Sequence, residues 1–169
     1  MTAQPHINAI SAIVPEHDIH AAFVGWAAPR IADDRERRLF DRMAARSGIA
    51  HRWSVLPPTA SGGSPVDRDG FYAVDPLPPT SARMALYAEH APALALRAIA
   101  GLDRDLSGVT HLVVASCTGF VAPGIDQIIA ARLDLSPQVE RLLIGFMGCY
   151  AAVTALRSAR HIVRSDPAA

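Results

Sequence analysis

VERLLIGFMGCYAAVTALRSARHIVR, residues 139–164, decides how this chain folds. It opens as a short apolar run, Leu142, Leu143 and Ile144, and passes through Gly145 and Gly148 to Cys149. Beyond the cysteine, Ala152, Leu156, Ala159, Ile162 and Val163 recur at spacings that suit one helix face. The pattern predicts a strand, a tight turn and a helix, with a thiol at the helix entrance. Backbone N–H groups and the positive end of a helix dipole stabilise a thiolate, the nucleophilic form of cysteine. Gly148 before the thiol, and Ala151 and Ala152 after it, leave room for a substrate to approach. Spacing alone leaves a second reading open: Cys149 as a small buried hydrophobe, as most free cysteines are.

Upstream, the chain alternates in the same way. Residues 6–14 hold Ile7, Ile10, Ile13 and Val14 and read as a strand ending at Pro15. Asp18 can cap a helix through Ala28, with Pro29 ending it. A second helix over residues 33–46 starts with Asp33 and Asp34, where acids suit the dipole, and stops at Gly48. Its apolar positions Leu39, Phe40 and Met43 are expected to face inward. Ile49, His51, Trp53 and Val55 alternate as in a short strand.

Residues 57–79 show no sustained period and read as a long loop. Thr80 or Ser81 opens a long helix to about Ala100, which Pro92 should kink. Met84, Tyr87, Ala88, Ala91, Ala95 and Ala98 give that helix a close-packing face. Residues 111–117 form a buried strand, and Pro123 and Gly124 open a helix to Leu133. No repeat and no internal domain boundary is evident. Three strand-to-helix transitions imply a largely parallel sheet, whose ligands gather beyond the carboxyl ends of the strands. Residues 117–119 and 148–149 both fall at such ends, so they are expected to meet at one site.

Composition narrows the function. The 169 residues are half hydrophobic, with zero formal net charge, which gives no bulk attraction to nucleic acid. Two cysteines do not make a disulfide framework. No apolar run approaches the roughly 20 residues of a membrane span, and residues 1–18 lack a signal-peptide pattern, so a cytoplasmic location is the default. The histidines and cysteines show no metal-ligand spacing. His161 lies 12 residues beyond Cys149, roughly 18 Å along a helix, and His111 starts the strand whose other end holds Cys117. Neither can serve that thiol as a base.

Residues 113–126, VVASCTGFVAPGID, and 133–157, LDLSPQVERLLIGFMGCYAAVTALR, carry a more specific signal. From about residue 39 to 164 the chain resembles the type III polyketide synthases, the chalcone-synthase-like family, with both motifs in the family's order and separation. The resemblance implies the thiolase fold, an α/β arrangement of αβαβα layers built from two similar halves. Residues 1–169 would be the N-terminal half, with the C-terminal half absent. It implies that Cys149 accepts the acyl group and that Cys117, Thr118, Gly119, Phe120 and Ala122 line the substrate cavity. Ala122 falls where plant members carry a methionine that crosses to the partner subunit, and its shorter side chain implies a differently shaped cavity. The family also binds the CoA phosphates with basic residues on an early helix. LFDRMAARSGIAHRW, residues 39–53, places Arg42 and Arg46 on two of those positions and Leu39 on the third. Without the resemblance these arginines are an ordinary solvated helix face.

The function so implied is an acyltransferase that condenses an acyl-CoA starter with malonyl-CoA through an acyl-cysteine. It needs no prosthetic group, and the complete enzyme is expected to be a homodimer. The family's catalytic histidine and asparagine come from the second half, which a separate chain could supply. A ketoacyl-acyl-carrier-protein synthase or thiolase shares the fold and the cysteine, though the CTGF…PG segment favours the polyketide reading. A non-catalytic half-domain that pairs with another subunit is the alternative from a different class.

Overall fold

Ile7, Ile10 and Ile13 recur at every third residue, a spacing that neither face of a strand can collect. The strand expected over residues 6–14 is accordingly not formed: the segment carries no regular element, and Ile7 and Ile10 are exposed. The computed structural model describes residues 4–166. The chain divides into two compact units, one from Val14 to Pro79 and one joining the N-terminal stretch through Ile13 to everything from Thr80 onward.

The unit from Val14 to Pro79 holds β1 (His17–Asp18), α1 (His20–Ala27), a 3-10 turn (Ala28–Arg30), α2 (Asp34–Arg46) and β2 (Trp53–Ser54). β1 and β2 pair antiparallel, His17 opposite Ser54 and Asp18 opposite Trp53. The strand expected over residues 49–55 therefore shrinks to two residues. Asp18 is not the N-cap of α1, which is Ile19. Its carboxylate still accepts the His20 N–H at 3.0 Å, and it also takes the Arg52 N–H at 3.0 Å and lies 2.6 Å from His51 Nδ1. One carboxylate thus ties the entrance of α1 to the strand opposite. Asp33 caps α2 by accepting the Glu36 N–H, and Gly48, at φ +67°, supplies the left-handed residue just beyond its end.

The inward face expected for α2 is seen only in part: Phe40 is half-buried, and the helix packs on the 3-10 turn. Leu39 and Met43, by contrast, are 49 % and 63 % exposed on a helix rich in charged residues. Residues 57–79 form turns without a strand or α-helix, as their composition predicts, and Val66 is buried among them.

In the other unit, α3 (Thr80–Ala100) continues through Pro92, whose ring is fully buried. β3 (His111–Ser116), α4 (Ile125–Arg132) and β4 (Glu140–Gly145) make one strand–helix–strand crossover, and α5 (Ala151–Ser165) follows. β3 and β4 pair in parallel, from His111 opposite Glu140 to Ser116 opposite Gly145. Two of the three expected strand-to-helix transitions are present; the first fails with the strand at residues 6–14. α4 packs on α3 and on both strands, and α5 packs on both strands as well. Ile125, Ile129, Val139 and Ala151 form the buried apolar centre. Asp126 is buried with them, its carboxylate 3.5 Å from the Arg141 guanidinium.

Candidate active site at the carboxyl ends of the parallel strands

Because Ser116 and Gly145 form the last rung of the ladder, β3 and β4 end level. The chain leaves both at the same edge. From β3 it runs through Cys117, Thr118, Gly119 and Phe120; from β4 through Phe146, Met147 and Gly148 to Cys149. The two loops touch: the Phe120 and Phe146 rings lie 5.2 Å apart between centroids and tilt by 37°.

The turn after β4 is tight. Phe146 has φ +54° and Gly148 has φ +83°. A Cβ on Gly148 would make only ordinary contact with the Tyr150 ring, at 3.7 Å, so the backbone angle rather than crowding calls for glycine there. The Ala151 N–H donates to the Gly148 carbonyl at 3.0 Å, and the Val153 N–H to the Tyr150 carbonyl at 2.9 Å. Cys149 therefore sits just before the N-cap Tyr150 of α5. It is free and exposed, as is Cys117. Within this chain Cys149 is therefore not a buried hydrophobe.

α3 backs the loop from β3. Tyr87 Oη donates to Ser116 Oγ at 2.6 Å, and a Cβ on Gly119 would fall inside the Tyr87 ring. Thr118 is exposed, Phe120 is 55 % exposed, and Ala122 is exposed beside a cis peptide to Pro123. Gly124 then caps α4.

Two residues at this edge are absent from the sequence-based set. Phe146 is 81 % exposed and is a bulky residue in the left-handed region, an outlier of the kind that clusters at functional turns. Its flanking glycines, Gly145 and Gly148, were the only signal in the sequence. Tyr87 was legible as part of a packing face but not as the partner of Ser116.

No histidine of β3 or α5 reaches the thiol end. His111, at the far end of β3, sits 3.6 Å from Glu140, and His161 lies on the later turns of α5. Among the described residues, no group of three or more His, Cys, Asp or Glu side chains could hold a metal ion.

Arg42 and Arg46 belong to the other unit. They stand one turn apart on α2, beside Leu39, Met43 and Ser47, around an open depression of about 390 Å³. Apolar Leu39 and Met43 share its lining with cationic Arg42 and Arg46, a combination that suits an amphipathic anion.

Residues 29–169 match the family of chalcone and stilbene synthases, N-terminal domain. The alpha-pyrone synthesis polyketide synthase-like Pks18 of Mycobacterium tuberculosis is 37 % identical over 150 residues, covering 84 % of this chain and 36 % of Pks18. The crystal structure of PKS-I from the brown alga Ectocarpus siliculosus superposes with a TM-score of 0.74 at 28 % identity, over 99 % of this chain and 46 % of that one. The crystal structure of CsyB complexed with CoA-SH gives a TM-score of 0.67 at 25 % identity, over 91 % and 40 %. The chain thus spans less than half the length of each of these proteins, and its mixed helices and strands are the N-terminal part of their thiolase-like fold. With a family match over most of its length and that fold, the chain belongs to the chalcone and stilbene synthase family of type III polyketide synthases, as its N-terminal domain.

Proposed function

We propose that this chain supplies the acyl-accepting half of a type III polyketide synthase. The observation that carries the proposal is the exposed Cys149, held on a tight glycine turn at the N-terminal end of α5, opposite the loop of residues 117–120. In this reading the Cys149 thiolate attacks the carbonyl of an acyl-CoA starter, the C–S bond to CoA breaks, and CoA leaves as its thiolate, which takes a proton from water. Malonyl-CoA then loses carbon dioxide. The resulting enolate carbon attacks the acyl-Cys149 carbonyl, forming a C–C bond and releasing the Cys149 thiolate. Each round lengthens the chain by two carbons on CoA, and CoA is substrate and carrier, with no prosthetic group involved.

Phe120 and Phe146 give the acyl chain an aromatic wall, while Cys117, Thr118, Gly119 and Ala122 complete the cavity rim on that side. Arg42 and Arg46 bind the CoA phosphates, a role supported by their place in the lining of that depression and by the likeness to CsyB, whose structure contains CoA-SH. Developing negative charge on the enolate and thioester oxygens needs donors. The resemblance assigns these to a histidine and an asparagine of a C-terminal half, on this polypeptide or a separate one. Residues 1–169 then form one half-domain of a homodimeric, cytoplasmic enzyme. No described helix is long and apolar enough to cross a membrane.

Intact-mass analysis after incubation with a long-chain acyl-CoA tests the reading, using this chain together with the C-terminal half. One acyl group per chain, lost in Cys149→Ala, supports it. Equal uptake by wild type and variant, or labelling at Cys117, overturns it.

A further inference from the structure

The loop that faces Cys149 is held from behind by two side chains one turn apart on α3. Tyr87 Oη donates to Ser116 Oγ at 2.6 Å, which pins the loop where it leaves β3. The Tyr87 ring fills the space a side chain on Gly119 would need. Met84 sulfur accepts the Phe120 N–H at 3.5 Å. Cys117 and Thr118, by contrast, are exposed. α3 therefore fixes this loop at its start, middle and end, and the end is where the Phe120 ring meets Phe146, three residues before Cys149.

We propose that Tyr87 is a positioning residue that sets, through Ser116 and Gly119, where Phe120 stands against Phe146 and hence which acyl length fits beside Cys149. The inference rests on the acyl-accepting role given to Cys149 above. Phe120 and Phe146, at 55 % and 81 % exposed, are large apolar side chains at this edge, as is Tyr150 at 61 %, so an acyl chain on the thiol has aromatic rings beside it. Shifting the loop by even a fraction of a ring width changes the space between ring and thiol. A hydroxyl and a ring acting together restrain the loop in two directions, which neither contact does alone.

The test compares Tyr87→Phe, Ser116→Ala and the double variant in the complete synthase, with short- and long-chain acyl-CoA starters. Rates are normalised to the fraction of Cys149 that acylates, which removes any loss of folded protein. Each single variant should change the ratio of kcat/KM for long over short starters by about five-fold, the effect expected of one hydrogen bond. The double variant should match the singles, because both remove the same bond. An unchanged ratio with Cys149 still acylating, or effects that add, overturns the inference. A second measurement needs no turnover: in the complete synthase carrying Cys149→Ala, Tyr87→Phe should speed iodoacetamide alkylation of Cys117, read by peptide mapping, about five-fold. Equal alkylation rates overturn the brace. Absence of acylation in the wild type instead overturns the role of Cys149, and with it the link to acyl length.

Discussion

Ser116 and Gly145 face each other as the last pair of the parallel β3–β4 ladder. That level ending brings a loop of small and polar residues, 117–119, to the same edge as the thiol of Cys149. Had the register slipped by two residues, one loop would be displaced by more than 6 Å along the strand direction, about two strand steps. The Phe120 and Phe146 rings could not then meet as they do. A substitution that disturbs this rung should therefore affect chemistry at Cys149 before it affects the rest of the fold.

The first expectation concerns that thiol. Cys149→Ala should reduce acyl uptake from a long-chain acyl-CoA to background, while Cys117→Ala should leave uptake at Cys149 within about two-fold, since Cys117 is a rim residue in this reading. Intact mass followed by peptide mapping checks both.

Arg42 and Arg46 give a second. Replacing both with Ala in the complete synthase should raise the KM for malonyl-CoA about ten-fold, equivalent to about 1.4 kcal/mol of binding, with kcat little changed. That split is the signature of binding lost equally from ground and transition states. A KM unchanged at low ionic strength returns the two arginines to a solvated helix face.

Asp18 predicts an acid-sensitive unit. The His51 side-chain hydrogen bond, followed by those from the His20 and Arg52 N–H groups, lowers its carboxyl from 3.8 to about 2. A carboxyl depressed in the folded state contributes stability that is complete above about 3.8 and is lost as pH falls towards about 2. Thermal unfolding followed by circular dichroism should show Tm falling across that window. Asp18→Asn should lower Tm at neutral pH and flatten the curve between those two values.

The βα framework was legible in the sequence because its signals were local. Apolar runs at Leu112–Val114 and Leu142–Ile144, glycines at the turn and a helical period after Cys149 each act within a few residues. What failed depended on distant partners. Residues 6–14 have strand-forming residues but the wrong period. Leu39 and Met43 follow helical spacing, yet spacing cannot say whether another element covers them. Asp18 looked like a cap because a cap needs only the next few residues, whereas its bonds to His51 and Arg52 span more than thirty positions. Similarly, Tyr87 and Ser116 are 29 residues apart, and only the packing of α3 behind β3 joins them.

Asp126 and Arg141 offer a fourth expectation, this time for stability. Asp126 is 9 % exposed, Gly124 packs so closely that a Cβ would strike its carboxylate, and Arg141 stands 3.5 Å away. Arg141→Ala leaves a buried carboxylate without its cation and should cost about 1–3 kcal/mol in urea unfolding. The pair joins α4 to β4, so the loss should appear in the unfolding midpoint rather than in the KM for CoA substrates.

The last expectation concerns association. Phe146, Tyr150, Val153 and Leu156 are 81 %, 61 %, 56 % and 60 % exposed, and all lie within the turn and first two turns of α5. β3 and β4 form a sheet of only two described strands, so each has an edge without a described strand beside it. Exposed apolar patches and open strand edges both promote pairing with another chain. The isolated 169-residue chain should therefore run above its monomer mass of 18.0 kDa in size-exclusion chromatography with light scattering. It should also fail to decarboxylate malonyl-CoA, because His111 lies at the far end of β3 from the thiol and His161 two or more turns down α5. Adding a C-terminal half should lower the apparent self-association and restore turnover together, since in the proposed reading that half brings both the cover and the oxyanion donors. A monomer that persists on dilution and turns over malonyl-CoA unaided would show that the chain carries its own catalytic base and needs no second half.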